Sequence, residues 1–158
     1  MSEVTVVELS PQIVLGMRKT GAYREVAVML PRVYEFALNK NIQIVGYPVF
    51  LWHETTVEEA QKADKEENAD IEVAFPISEV IEIPGDEEIR VYELPGGKMA
   101  KVVHKGPYEE CILTYEKLFS WVAEKGKRIV GPIREIYLND PQEVPPEEIL
   151  TEIYAPIG

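Results

Sequence analysis

Apolar and polar residues alternate in short runs along most of the chain. Four runs in the first half, at 4–9, 13–19, 49–53 and 71–75, are short and rich in β-branched or aromatic residues, which is typical of strands. Apolar residues at helical spacing follow the second run, and we expect this helix to begin at Pro31, because proline is tolerated in a first helical turn. The pattern therefore predicts strand, strand, helix, strand and strand.

The second half repeats this order about 85 positions later. Near the end of the chain the offset falls to 80, which a shorter loop in the second copy explains. Asn41 and Gly126 correspond at offset 85, and both residue types tolerate the left-handed conformation that ends a helix. The matching segments are Val6-Val7-Glu8-Leu9 with Val91-Tyr92-Glu93-Leu94, Gly21-Ala22-Tyr23-Arg24-Glu25 with Gly106-Pro107-Tyr108-Glu109-Glu110, Ile44-Val45-Gly46 with Ile129-Val130-Gly131, and Pro76-Ile77 with Pro156-Ile157.

This duplication predicts an α+β fold in which a strand–strand–helix–strand–strand module occurs twice, and the two modules are related by pseudo-twofold symmetry. We expect one domain over 1–158, with module one at about 3–81 and module two at about 88–158. The modules form an antiparallel sheet with helices on one face and a ligand groove on the other. Pro84-Gly85-Asp86 is the expected turn between the modules, and Gly96-Gly97 the expected hairpin turn between the first two strands of module two. The polar segment 54–70 is expected to be a solvated loop or short helix.

Composition excludes several classes of protein. The 158 residues carry 28 acidic and 16 basic side chains, a net charge of −12, which argues against direct nucleic-acid binding. Two histidines and one cysteine do not suffice for a closed zinc site, and we expect no metal or cofactor. No apolar run reaches the roughly 18 residues that span a bilayer. The lone Cys111 suits a small core position and a reducing, cytoplasmic compartment.

Strand parity indicates a candidate binding site. Glu135 and Tyr137 share one face of their strand, and Phe50 and Trp52 occupy the equivalent positions in the first copy. The aliphatic residues of opposite parity suit the helix-covered face, so the aromatic residues and the carboxylate are expected on the open face. A carboxylate among aromatic rings attracts a flat, lipophilic cation. The alternative is that Arg134 and Glu135 are ordinary charges on a strand surface.

The motifs of the second copy resemble those of the GyrI-like small-molecule-binding family, which includes the effector-binding domains of multidrug-sensing regulators. The matching segments are Lys105-Gly106-Pro107-Tyr108, the helix 115–125, the stretch from Gly131 to Pro141 that contains Glu135-Ile136-Tyr137, and the stretch from Thr151 to Pro156. The resemblance implies two strand–helix modules around a pocket, with Glu135 as the acidic residue that meets cationic ligands. It also implies aromatic contacts from both modules, with Trp52 and Tyr137 as the first candidates and Phe50, Tyr115 and Phe75 after them.

Several functions remain open within this resemblance. The chain begins at the first strand, so it is expected to be a stand-alone member that works with a separate transcription regulator or with DNA gyrase. In a hydrolase of cyclopropane-bearing alkylating toxins, Glu135 would activate water and Tyr137 or Tyr115 would donate a proton. Haem binding is a further alternative, because the SOUL family shares the architecture; the candidate ligands are His53 and His104. The oligomeric state is not predicted.

Overall fold

The computed structural model describes residues 3–82, 88–140 and 142–158; the expected turn at Pro84-Gly85-Asp86 lies outside these ranges. Each described pairing between neighbouring strands is antiparallel, and the α+β class is confirmed. The elements are β1 (Thr5–Leu9), β2 (Gln12–Gly21), α1 (Val26–Asn39), β3 (Val49–Trp52), α2 (Val57–Lys65), β4 (Ala69–Pro76), β5 (Ile89–Leu94), β6 (Gly97–Lys105), α3 (Cys111–Glu124), β7 (Ile133–Tyr137) and β8 (Leu150–Pro156).

The chain divides into two compact units. The first-repeat unit, Ser10–Gly96, has the strand order β3-β4-β2-β5, and α1 packs against β4 and β2. The second-repeat unit comprises Met1–Leu9 and Gly97–Gly158, has the order β1-β6-β8-β7, and packs α3 against β6. Val33 of α1 and Leu118 of α3 are fully buried in the two cores.

The predicted duplication is confirmed by the pairing of the strands. In the first-repeat unit Val14 lies opposite Pro76, and in the second-repeat unit Met99 lies opposite Pro156, which are the equivalent positions at offsets 85 and 80. Two isolated bridges, Ile44 with Ile77 and Ile129 with Ile157, obey the same offsets. The repeats therefore share the register of their strands.

The first strand of each repeat pairs within the unit of the other repeat, which the sequence did not predict. β1 pairs with β6, where Thr5 lies opposite Lys101, and β5 pairs with β2, where Leu94 lies opposite Gln12. The units therefore differ from the expected modules at 3–81 and 88–158. The hairpin expected at Gly96-Gly97 is wrong, because the strands on its two sides pair with β2 on one side and with β1 and β8 on the other.

The C-terminal boundaries of the helices were predicted better from the sequence than the N-terminal boundary of α1. Asn41 and Gly126 have φ of 58° and 67°, so the predicted left-handed ends are confirmed. The predicted start at Pro31 is wrong: α1 begins at Val26, and Pro31 lies inside it without a backbone N–H to donate. The segment at 54–70 contains α2, whose first turn is capped by the Thr56 hydroxyl. Within the described ranges, no helix has the length and apolar character needed to cross a membrane.

Candidate functional site

Glu135 lies in the middle of a tyrosine cluster in the second-repeat unit. Its side chain, on β7, is partly buried, and one carboxylate oxygen accepts a hydrogen bond from the Tyr115 hydroxyl of α3. The other oxygen accepts a hydrogen bond of 3.2 Å from the Tyr137 hydroxyl. The structure therefore brings together three of the predicted site residues.

The sheet register explains why these groups meet. Tyr137 lies opposite Thr151 on β8, which lies opposite His104 on β6, so the three side chains share one face. The His104 ring links this face to α3 and to the turn before it. Nδ1 and the Thr114 hydroxyl form a hydrogen bond of 2.7 Å, and Nε2–H donates to the Pro107 carbonyl at 2.9 Å.

The face on which Glu135 lies differs from the prediction. Glu135 and Tyr137 are on the α3 side of their strand, whereas parity placed them on the open face. The alternation of side chains along β7 did not identify the open face, because residues on both faces of this strand are at least partly buried. Arg134, on the opposite face of β7, is only 5% exposed.

The surroundings of the Glu135 carboxyl penalise its negative charge. Burial raises the pKa of the Glu135 carboxyl, and the hydrogen bonds from Tyr115 and Tyr137 oppose this rise without cancelling it. Among the described residues, Glu135 forms no ion pair with a lysine, arginine or histidine. Burial and the nearby Glu135 charge also raise the pKa of Tyr137 well above its usual range.

Other side chains around the Glu135 carboxylate were not among the predicted site residues. The Tyr108 ring meets the Tyr137 ring edge to face, with centroids 5.6 Å apart, and 39% of Tyr108 is exposed. Phe119 stacks on Tyr115 at 6.0 Å. Burial and the Glu135 charge raise the pKa of Cys111 to about 12, which leaves it a neutral thiol, in agreement with its predicted core role. The repeated Gly-x-Tyr at 21–23 and 106–108 was the signal for Tyr108.

The remaining candidates, Phe50, Trp52 and Phe75, lie in the first-repeat unit. All three are buried. Phe50 meets the Tyr23 ring edge to face at 5.7 Å, and Phe75 contacts the Tyr34 ring at 6.0 Å. By register Phe50 is the equivalent of Glu135, and Trp52 is the equivalent of Tyr137. In this unit an aromatic ring thus takes the place of the carboxylate.

The two histidines, which were the candidate haem ligands, form hydrogen bonds within the protein. Both ring nitrogens of His104 are hydrogen-bonded, as described above, and it is only 3% exposed. His53 contacts the Glu72 carboxylate at 2.8 Å through Nε2. An axial ligand needs a free nitrogen facing a large cavity, so His104 does not fit this role. Within the described residues, no group of three or more His, Cys, Asp or Glu side chains is arranged to hold a metal ion.

Solved structures with the same fold include regulators and hydrolases. The EcmrR C-terminal domain is 20% identical with a TM-score of 0.84, and the match covers 99% of this chain and 97% of that one. EcmrR in a DNA complex matches at 20% identity and a TM-score of 0.83 over 98% of this chain, which spans 57% of that longer chain. A hydrolase encoded by lin2189 from Listeria innocua is 14% identical with a TM-score of 0.70, covering 99% and 92%.

One solved structure with this fold contains a lipophilic cation. SAV2435 bound to tetraphenylphosphonium is 14% identical with a TM-score of 0.61, covering 99% of this chain and 94% of that one. No curated protein matches the chain. The family model for the GyrI-like small-molecule-binding domain matches residues 2–158. The chain, with its duplicated strand–helix units, belongs to the GyrI-like small-molecule-binding domain family.

Proposed function

We propose that this domain binds lipophilic cations at Glu135. The observation that carries the proposal is a partly buried carboxylate with a raised pKa whose hydrogen-bond partners are two tyrosine hydroxyls. Desolvating an unpaired carboxylate costs several kcal/mol, and a cation that enters the cluster recovers part of that cost. Aromatic faces add about 0.5–2 kcal/mol for each ring that meets the cation.

The exposed ring surface also supports an apolar, aromatic ligand. Tyr108 is the most exposed ring of the cluster, and it packs edge to face on Tyr137, so it offers ring surface to a ligand bound beside Glu135. Phe50, Trp52 and Phe75 stay predicted ligand contacts. Their contribution is testable with Trp52→Phe, which retains an aromatic ring while reducing its size.

Titration with tetraphenylphosphonium tests the charge requirement. We expect Glu135→Gln to weaken binding by about tenfold or more, which corresponds to at least about 1.4 kcal/mol. Neutral triphenylphosphine oxide should bind both proteins equally. Glu152→Gln is the matched control, because Glu152 is a partly buried glutamate of the same unit that is paired with Lys101 at 3.0 Å. Equal affinity of the cation for parent and Glu135→Gln would contradict the proposal.

A second candidate function uses the same carboxylate as a base. A carboxyl with a raised pKa beside two tyrosine hydroxyls suits general acid–base chemistry, and a hydrolase is among the proteins with this fold. We expect the substrate to be an activated cyclopropane, opened by a water that Glu135 deprotonates. Turnover lost in Glu135→Gln would favour catalysis; cation binding without turnover would favour the binding role.

The family membership also supports a role in regulation. A domain of this fold is part of EcmrR, which was solved in a complex with DNA. We propose that the present domain senses a ligand on behalf of a separate transcription regulator. Ligand-dependent co-purification with a DNA-binding protein would support this role.

A further inference from the structure

A second polar cluster lies in the first-repeat unit, on the strand face turned away from α1. Glu72 of β4 is only 6% exposed, and its carboxylate accepts two hydrogen bonds. The Tyr92 hydroxyl donates to Oε2 at 2.7 Å, and the His53 ring donates to Oε1 at 2.8 Å. Burial raises the pKa of Glu72, but the two hydrogen bonds, together with attraction of the carboxylate to Arg18 and to the protonated form of His53, outweigh this effect and leave the pKa lowered. Glu72 is therefore an ionised carboxylate.

The carboxylate fixes the tautomer of His53. An ionised carboxylate only accepts hydrogen bonds, so Nε2 carries the proton and Nδ1 of the neutral ring carries the lone pair. No described residue forms a hydrogen bond with Nδ1, and Nδ1 is not a fully buried atom. Because 18% of the His53 side chain is exposed, this lone pair is open to solvent.

The cluster is specific to one repeat. A Cβ atom at Gly16 would lie 2.5 Å from the Tyr92 hydroxyl oxygen and 2.5 Å from the Val73 carbonyl oxygen, so glycine makes room for the Tyr92–Glu72 hydrogen bond. The other repeat keeps the glutamate as Glu152 but not its partners. The positions of Gly16, Tyr92 and His53 are taken there by Lys101, Val7 and Leu138. Sheet pairing alone thus does not require the His–Glu–Tyr arrangement.

We propose that His53 is a general base that activates water for the hydrolysis of small carboxylic esters, with Glu72 and Tyr92 as positioning residues. The oxygen of a water molecule attacks the carbonyl carbon, and its proton moves to Nδ1. The bond to the leaving alcohol then breaks, and the alcohol oxygen takes the proton back from Nδ1. Ester and water give acid and alcohol, with no other reactant.

Hydrolysis of 4-nitrophenyl acetate by the full chain tests the base. We expect His53→Gln to lose about 100-fold or more of the protein-dependent rate, as removal of a general base does. The fold of this variant is checked by its thermal unfolding, and Glu152→Gln is the matched control that should retain the rate. His53→Gln should also bind tetraphenylphosphonium like the parent, so failure here and failure of the proposed cation site are separate results.

Two measurements separate positioning from a structural role. In Glu72→Gln the amide donates to Nε2, so the ring proton moves to Nδ1 and the rate should fall although His53 is present. Nitrogen-15 NMR of the imidazole should show Nε2–H in the parent and Nδ1–H in the variant. The parent reaction should be slower in D₂O. The proposal is overturned by an unchanged rate in His53→Gln, by an Nδ1–H tautomer in the parent, or by equal rates in the two solvents. None of these requires Glu72→Gln to fold.

Discussion

Glu135 and Phe50 occupy the same position in the two repeats, opposite Ile153 and Val73 on the neighbouring strands. At the scale of single residues, this difference places a carboxylate in one repeat where the other repeat has an aromatic ring. A buried aromatic ring adds apolar contact, whereas a carboxylate adds a desolvation cost that only a cation or a proton relieves. The binding role proposed for the domain depends on that cost.

The raised pKa of Glu135 predicts a pH-dependent stability. Below the ordinary carboxyl range, Glu135 is protonated in both the folded and unfolded states. As the pH rises the unfolded state ionises first, so this group's contribution to stability is lost until Glu135 ionises in the folded state. Denaturant unfolding between pH 4 and pH 8 should show a smaller decline for Glu135→Gln than for the parent.

The exposed Glu148 provides the control for this measurement. Glu148→Gln removes the same formal charge from a surface position and should follow the parent curve. Parallel curves for the parent and Glu135→Gln would mean that burial does not penalise the Glu135 charge.

At the scale of elements, the two long helices end alike but with different residues. The N–H of Ile42 bonds to the carbonyl of Ala37 at 2.9 Å, and that of Lys127 bonds to Val122 at 3.0 Å, so each helix closes with the same motif. The residue before each donor is left-handed, namely Asn41 and Gly126. Glycine adopts this conformation with less strain than asparagine, and asparagine with less than alanine.

Matched substitutions at these ends have opposite expected effects. Asn41→Gly should stabilise the protein by about 0.5 kcal/mol, and Gly126→Ala should destabilise it by about 1 kcal/mol. A Cβ at Gly126 would meet no atom within 4 Å, so the second effect is conformational rather than steric. Urea unfolding of the two variants measures both. A stabilising Gly126→Ala would contradict the account of the helix ends.

At the scale of the whole molecule, each repeat contributes its first strand to the unit of the other. Removal of residues 1–9 tests this exchange. We expect faster hydrogen exchange in β6, because β6 loses its partner β1, while β2 retains both β4 and β5. Mass-spectrometric hydrogen exchange resolves the two strands. Faster exchange in β2 instead would indicate a hairpin between β1 and β2.

The sequence predicted the fold largely through its internal repetition. Offsets of 85 and 80 placed Pro76 and Pro156 at equivalent positions, and the register confirms them. Pairing partners were less accessible, because adjacent strands most often form hairpins and the exchange of β1 and β5 leaves no local pattern. The Tyr115–Glu135 contact joins residues 20 positions apart on different elements, so tertiary packing rather than strand parity determines it.

The exchange of the first strands has a consequence for synthesis on the ribosome. Leu9 pairs with Gly97 and Thr5 with Lys101, so β1 leaves the exit tunnel some 90 residues before its partner exists. Translation proceeds at about 5–20 residues per second, so β1 remains without its partner strand for roughly 5 to 20 seconds. During that interval a nascent chain is open to capture by a chaperone or by a neighbouring nascent copy.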